Sequence, residues 1–122
     1  MGGFLIVALG AGLGGALRHG VNLGAARLFG LGYPFGTLIV NVAGSFVMGL
    51  LTAMFLAHPA IGPAWRLTLT TGVLGGFTTF STFALDAGVM IERAAWPRAA
   101  LYVALSVVGA IAGLFLGLAL GA

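Results

Sequence analysis

Four long apolar stretches, at residues 3–23, 35–57, 67–90 and 99–120, fill most of the chain, and the polar positions gather in the short connections between them. Each stretch is close to the ~20 residues that an α-helix needs to cross a hydrocarbon core. The pattern therefore predicts four transmembrane helices. Pro34, Pro59, Pro63 and Pro97 punctuate them, as expected of residues that a helix interior rejects. Trp65, Trp96 and Tyr33 stand at the segment ends, where amphipathic rings favour the membrane interface. Short connections leave a simple up-down bundle, so residues 1–122 read as a single transmembrane domain.

Composition sharpens that picture. The chain is 61% hydrophobic and only 6% charged, whereas soluble domains carry about a quarter charged residues. Its pI near 10.8 rests on five arginines against two acids. No basic cluster exists, so nucleic acid is not an expected partner; the lipid bilayer is. With no cysteine, disulfides and thiolate metal sites are excluded. The first stretch lacks a basic region before it and runs on too long for a signal peptide.

The third stretch departs from its neighbours. Its middle reads Gly72-Val73-Leu74-Gly75-Gly76-Phe77-Thr78-Thr79-Phe80-Ser81-Thr82-Phe83. Three glycines lower helix propensity, and the threonines can turn their hydroxyls onto the backbone. Two structures are compatible with this. One is a helix broken at its centre, whose freed backbone groups must face protein or a polar cavity. The other is a continuous helix with glycines for close packing and threonines bonded to their own turns.

Polar positions inside the other spans are few. Thr37, Asn41 and Ser45 recur every four residues and share one helical face. An unpaired amide in hydrocarbon costs several kcal/mol, so Asn41 needs a partner, across to another helix or along a polar path. Tyr102 and Ser106 have the same spacing. Gly10 and Gly14, Gly20 and Gly24, and Gly109, Gly113 and Gly117 form rows that let helix backbones approach. Arg18 lies late in the first stretch. A charge at a membrane centre costs roughly 3 kcal/mol, so a position at a mouth or vestibule is expected.

The absences are as informative. The first, second and fourth stretches hold no Asp, Glu or Lys. A proton-coupled exporter or cation pump needs an intramembrane acid. His19 and His58 fall at the interface, and no Ser/His/Asp set, phosphate loop or metal-ligand cluster can be assembled. The chain is not expected to be an enzyme. Orientation signals are weak: one connection carries Arg66 and the opposite side Arg27, Arg93 and Arg98, with Arg18 near a helix end. So small a bias allows insertion either way, hence antiparallel dimers. Four thin helices are also too few to enclose a path alone.

The run Gly72–Phe83 resembles the third-helix signature of the Fluc (CrcB) fluoride channels, which reads roughly Gly-x-x-Gly-Gly-x-Thr-Thr-Phe-Ser-Thr-Phe. The run Gly36-Thr37-Leu38-Ile39-Val40-Asn41-Val42-Ala43-Gly44-Ser45-Phe46 resembles their second-helix motif, and Gly14-Gly15-Ala16-Leu17-Arg18-His19 their first. The resemblance covers the whole chain. It implies an all-α membrane protein with the third helix broken at its centre, assembled as an antiparallel, dual-topology homodimer in the inner (plasma) membrane. It implies two fluoride pores per dimer and a structural sodium ion between them. By motif position, main-chain carbonyls of Gly75 and Thr78 would hold the sodium. Phe80 and Phe83 would be the pore phenylalanines, Asn41 the pore amide, and Thr37, Ser81, Thr82, Tyr102 and Ser106 the hydroxyl track. Arg18 would stand in the vestibule. Phe77, His19 and Ala110 depart from the family pattern, where leucine, tyrosine and a further hydroxyl are usual.

Neutral donors suit a small anion, because conduction requires sites that also release it. Phenyl ring edges carry positive potential and can face an anion. Two other classes compete with the channel reading. A small antiparallel multidrug exporter needs a carboxylate in the first helix, which is missing; a non-conducting assembly subunit would pass nothing.

Overall fold

The computed structural model describes residues 2–122, and all of its regular structure is helical. Helix α1 spans Gly2–Phe29 and α2 Phe35–Ala57. The third span runs from Pro63 to Glu92 in pieces: α3 (Pro63–Leu67), a π-helical segment (Thr68–Leu74), α4 (Gly75–Phe77) and α5 (Phe80–Glu92). Helix α6 spans Trp96–Gly121. All four spans are long and apolar enough to cross a membrane. The protein is a multi-pass membrane protein.

Boundaries follow local chemistry. Helix α1 runs on to Phe29, past the expected end at residue 23, because Gly30 supplies the stop. Gly30 adopts φ 76° and its N–H bonds Ala26 O at 2.9 Å, a left-handed helix terminus that glycine enters freely. Arg18 therefore lies well inside α1 and not at its end. Pro63 opens α3, and Pro97 lies in the first turn of α6, where a missing N–H is harmless. One arginine secures each of two connections. Arg66 donates to Ile61 O, Phe55 O and Pro59 O and stacks over the Phe55 ring. Arg98 donates to Gly32 O and stacks over Tyr33.

The spans pack through glycine. The first half of the third span lies on α1, and α6 lies along α2. A Cβ at Gly14 would strike Val73 O, and one at Gly76 would strike Ala11 O. At the other contact, a Cβ at Gly49 would strike Leu114 O, and one at Gly117 would strike Phe46 O. Backbones this close gain dispersion and dipole contacts that lipid cannot match. The row Gly20 and Gly24 behaves otherwise: a Cβ at either position meets nothing within 4 Å. Their small size serves no contact within this chain. Gly14→Val is expected to cost about 3 kcal/mol, the upper end for overpacking, because the obstacle is backbone. The check is a collapse in the yield of monodisperse protein, with Gly20→Val unaffected.

Little is sealed inside one protomer. Val40 and Tyr102 are the largest side chains fully buried. Leu9, Leu13, Phe115 and Leu116 are exposed, an apolar exterior that suits lipid.

Candidate functional site: the third span and its cavities

The third span changes partner half-way. Residues up to Phe77 pack on α1, while α5 packs on α6. At the changeover Thr78 and Thr79 are extended, with φ/ψ of −88°/158° and −152°/122°. Threonines up to and including Thr78 turn their hydroxyls back, as the continuous-helix reading asks of them. Thr68, Thr70 and Thr78 return their hydroxyls to carbonyls four residues back, at 2.6, 2.6 and 2.9 Å. Thr79 instead caps α5, its Oγ1 accepting from Thr82 N at 3.3 Å.

Asn41 holds the changeover in place from α2. Its Nδ2 donates to Thr79 O at 2.9 Å, and its Oδ1 accepts from Thr79 N at 2.8 Å. The amide thus pairs with both backbone groups of one residue, Thr79, as a neighbouring strand would. This satisfies groups that lipid could not. It also redirects a donor. In an uninterrupted helix Thr79 N–H would serve the carbonyl of Gly75. Likewise, the N–H of Thr82, which would serve Thr78 O, goes to Thr79 Oγ1.

Beside this point lies an open cavity of about 820 Å³ between α2, the third span and α6. Asn41, Ser45, Gly75, Thr78, Thr79, Phe80, Phe83 and Ser106 line it, together with Ala110. No ionisable side chain is among its lining residues. Phe80 is 79% exposed, and its ring centroid is 5.5 Å from that of Phe83. Phe77 lies over Gly44: a Cβ there would meet its ring at 3.4 Å and Thr78 Cγ2 more closely still.

A second cavity, of about 380 Å³, lies near the α1–α2 connection and is lined by Asn22, Tyr33, Thr37, Asp86 and Arg93 among others. Between the two, Tyr102 is fully buried, 5.3 Å from Phe83 by ring centroid, and donates its hydroxyl to Asp86 Oδ2 at 3.0 Å. Ser106 Oγ is buried without a partner among the described residues.

The sequence-derived residues are thus only partly gathered. Asn41, Gly75, Thr78, Phe80, Phe83 and Ser106 share the larger cavity, and Thr37 lines the smaller one. Ser81 is exposed, with its Oγ 3.4 Å from Thr79 Oγ1, and Thr82 is half-buried. Arg18 is half-buried on α1 and lines neither cavity. Two residues escaped the sequence reading as parts of this region. Asp86 was visible only as an acid late in the third stretch; its pairing with Tyr102 joins positions far apart in the chain. Tyr33 read as an interfacial ring, yet the structure turns it inward beneath Arg98 and against Tyr102.

Residues 5–118 match the family model described as CrcB-like protein, Camphor Resistance (CrcB). The chain belongs to the CrcB family. Among its relatives, the fluoride-specific ion channel FluC of Methylobacterium nodulans is 61% identical over 115 residues, covering 94% of this chain and 92% of that one. The fluoride-specific ion channel FluC of Hyphomonas neptunium is 52% identical over 120 residues, 97% of this chain and 94% of its own. That of Caulobacter vibrioides is 49% identical over 116 residues, 93% of this chain and 91% of its own. The CrcB family is one of ion channels and not of enzymes.

Proposed function

We propose that this CrcB-family chain is a fluoride channel that lets the ion run passively down its gradient. The carrying observation is the lining of the larger cavity, which offers an amide, hydroxyls and phenyl rings but no ionisable group. Such a surface replaces part of a small anion's hydration without trapping it. Asn41, Ser106 and Thr37 supply neutral donors or stand beside the path. Ser81, Thr82 and Tyr102 extend the hydroxyl set. Phe80 and Phe83 present ring edges, the positive rim of the quadrupole. Arg18 attracts anions from the vestibule side.

The cavity is open on one side, so a second copy is needed to close it. The working unit is an antiparallel homodimer of dual topology in the inner (plasma) membrane, with two pores. The third span acts as a broken helix, and a sodium ion sits at the dimer centre on the carbonyls of Gly75 and Thr78 from each copy. Two features of the chain support a fit. The helical donors for these two carbonyls go to Asn41 Oδ1 and Thr79 Oγ1. Gly75 is also exposed on the cavity. Among the described residues no group of His, Cys, Asp and Glu could hold a metal, so side-chain coordination of a divalent ion is not available. Neutral carbonyls suit a monovalent cation, which when bound would add positive potential beside the anion path.

Purified protein in liposomes loaded with fluoride is expected to release it without an imposed pH gradient. Efflux no faster than from protein-free vesicles, or efflux that needs a proton gradient, would overturn the reading.

A further inference from the structure

Tyr33 buries a hydroxyl that nothing in the fold uses. Its Oη is sealed from solvent and meets no hydrogen-bond partner among the described residues. A buried polar atom left unpaired costs about 1–3 kcal/mol, so its persistence calls for an explanation. The side chain is not there by loose packing. Its ring stands edge-on to Tyr102 at 5.9 Å and tilted on Phe35 at 5.0 Å. The guanidinium of Arg98 lies 5.3 Å from its centroid, held in turn by Gly32 O. The ring quadrupole attracts that cation, which fixes the phenol in place. Tyr33 also lines the smaller cavity with Asn22, Thr37 and Arg93, so the arrangement combines room, donors and a positive charge.

We propose that the Tyr33 hydroxyl is a binding station for the permeating anion, placed between the smaller cavity and the buried Tyr102. This inference rests on the channel reading and adds a donor to it. The ligand class is a small anion that accepts hydrogen bonds strongly, which fluoride does and chloride does weakly. Asp86 lines the same cavity, but its Oδ2 accepts from Tyr102 and it makes no bond to Tyr33. Its charge opposes long residence, and Arg93 opposes outright exclusion. A station so balanced holds the ion briefly, as conduction requires.

Tyr33→Phe tests the assignment, since it deletes one oxygen and keeps the ring contacts. Fluoride efflux from liposomes is compared with wild type, and thermal unfolding is followed in parallel. The expected result is a roughly tenfold slower efflux, the scale of one lost hydrogen bond to a charged group. Unfolding should be unchanged or shifted slightly upward, because an unpaired buried hydroxyl has been removed. Wild-type efflux in the variant would overturn the station and leave the channel reading standing. Slow efflux together with lowered thermal stability would overturn it too, by showing that the hydroxyl serves the fold. No efflux from wild type would overturn the channel reading and the station with it.

Discussion

Asn41→Asp is expected to bring fluoride efflux close to that of protein-free vesicles while leaving the protein folded and dimeric. The change removes the N–H₂ that Thr79 O accepts from and keeps an oxygen for Thr79 N–H. One part-buried carbonyl is left without a donor, at about 1–3 kcal/mol. At 1.4 kcal/mol per decade, that alone shifts the population of the intact changeover by roughly 10–100-fold. An ionised carboxylate on the wall of the larger cavity then repels the anion as well. Both effects act in the same direction. Efflux from liposomes gives the rate, and size-exclusion chromatography gives the assembly state. A variant that conducts like wild type would remove Asn41 from the path and show that its clamp is dispensable.

Stripping the proposed sodium is expected to be the second large effect. With sodium present at about 100 times its dissociation constant for the proposed site, depletion would withdraw about 2.7 kcal/mol from the proposed dimer. Loss of activity, dimer dissociation or a lower unfolding temperature should follow when sodium is exchanged for a bulky organic cation. Substitution at Thr78 should do much less, since the proposed ligand is its carbonyl. Thr78→Val deletes only the hydroxyl bond to Leu74 O and keeps the methyl that faces Gly44. Full activity and an unchanged melt after rigorous sodium depletion would count against a structural ion at the dimer centre.

Much of the architecture could be read from the chain because lipid imposes simple rules. Every backbone group in hydrocarbon must be paired locally, so four apolar stretches of spanning length mean four helices. Prolines mark their starts because a helix accepts them only there. Glycine rows marked close contact correctly at Gly10, Gly14 and Gly117, whereas at Gly20 and Gly24 this chain brings no partner within 4 Å. Spacing states that a backbone can approach, not that a partner is present. Two long motifs in the right order sufficed to point to the CrcB family, which the family match and the similar relatives bear out.

The interior of the third span was a different matter. From Gly72 to Phe83 the residues weaken a helix over several turns, and local propensity alone leaves continuous and interrupted forms open. The extended residues stand at Thr78 and Thr79 because an amide on α2, 38 residues away in sequence, pairs with both the N–H and the C=O of Thr79. Tyr33 and Asp86 were hidden for the same reason. Each acquires its place from Arg98 or Tyr102 on α6, and no periodicity records such partners. The sequence by itself determined the spans, their short connections, the lack of carboxylates in three of them, and the family. Only the tertiary structure decided where the third span changes partner, which carbonyls lose their helical donors, and which hydroxyls end up buried without a partner. Those are outcomes of hydrogen bonds between helices, and they exist only once the helices have met.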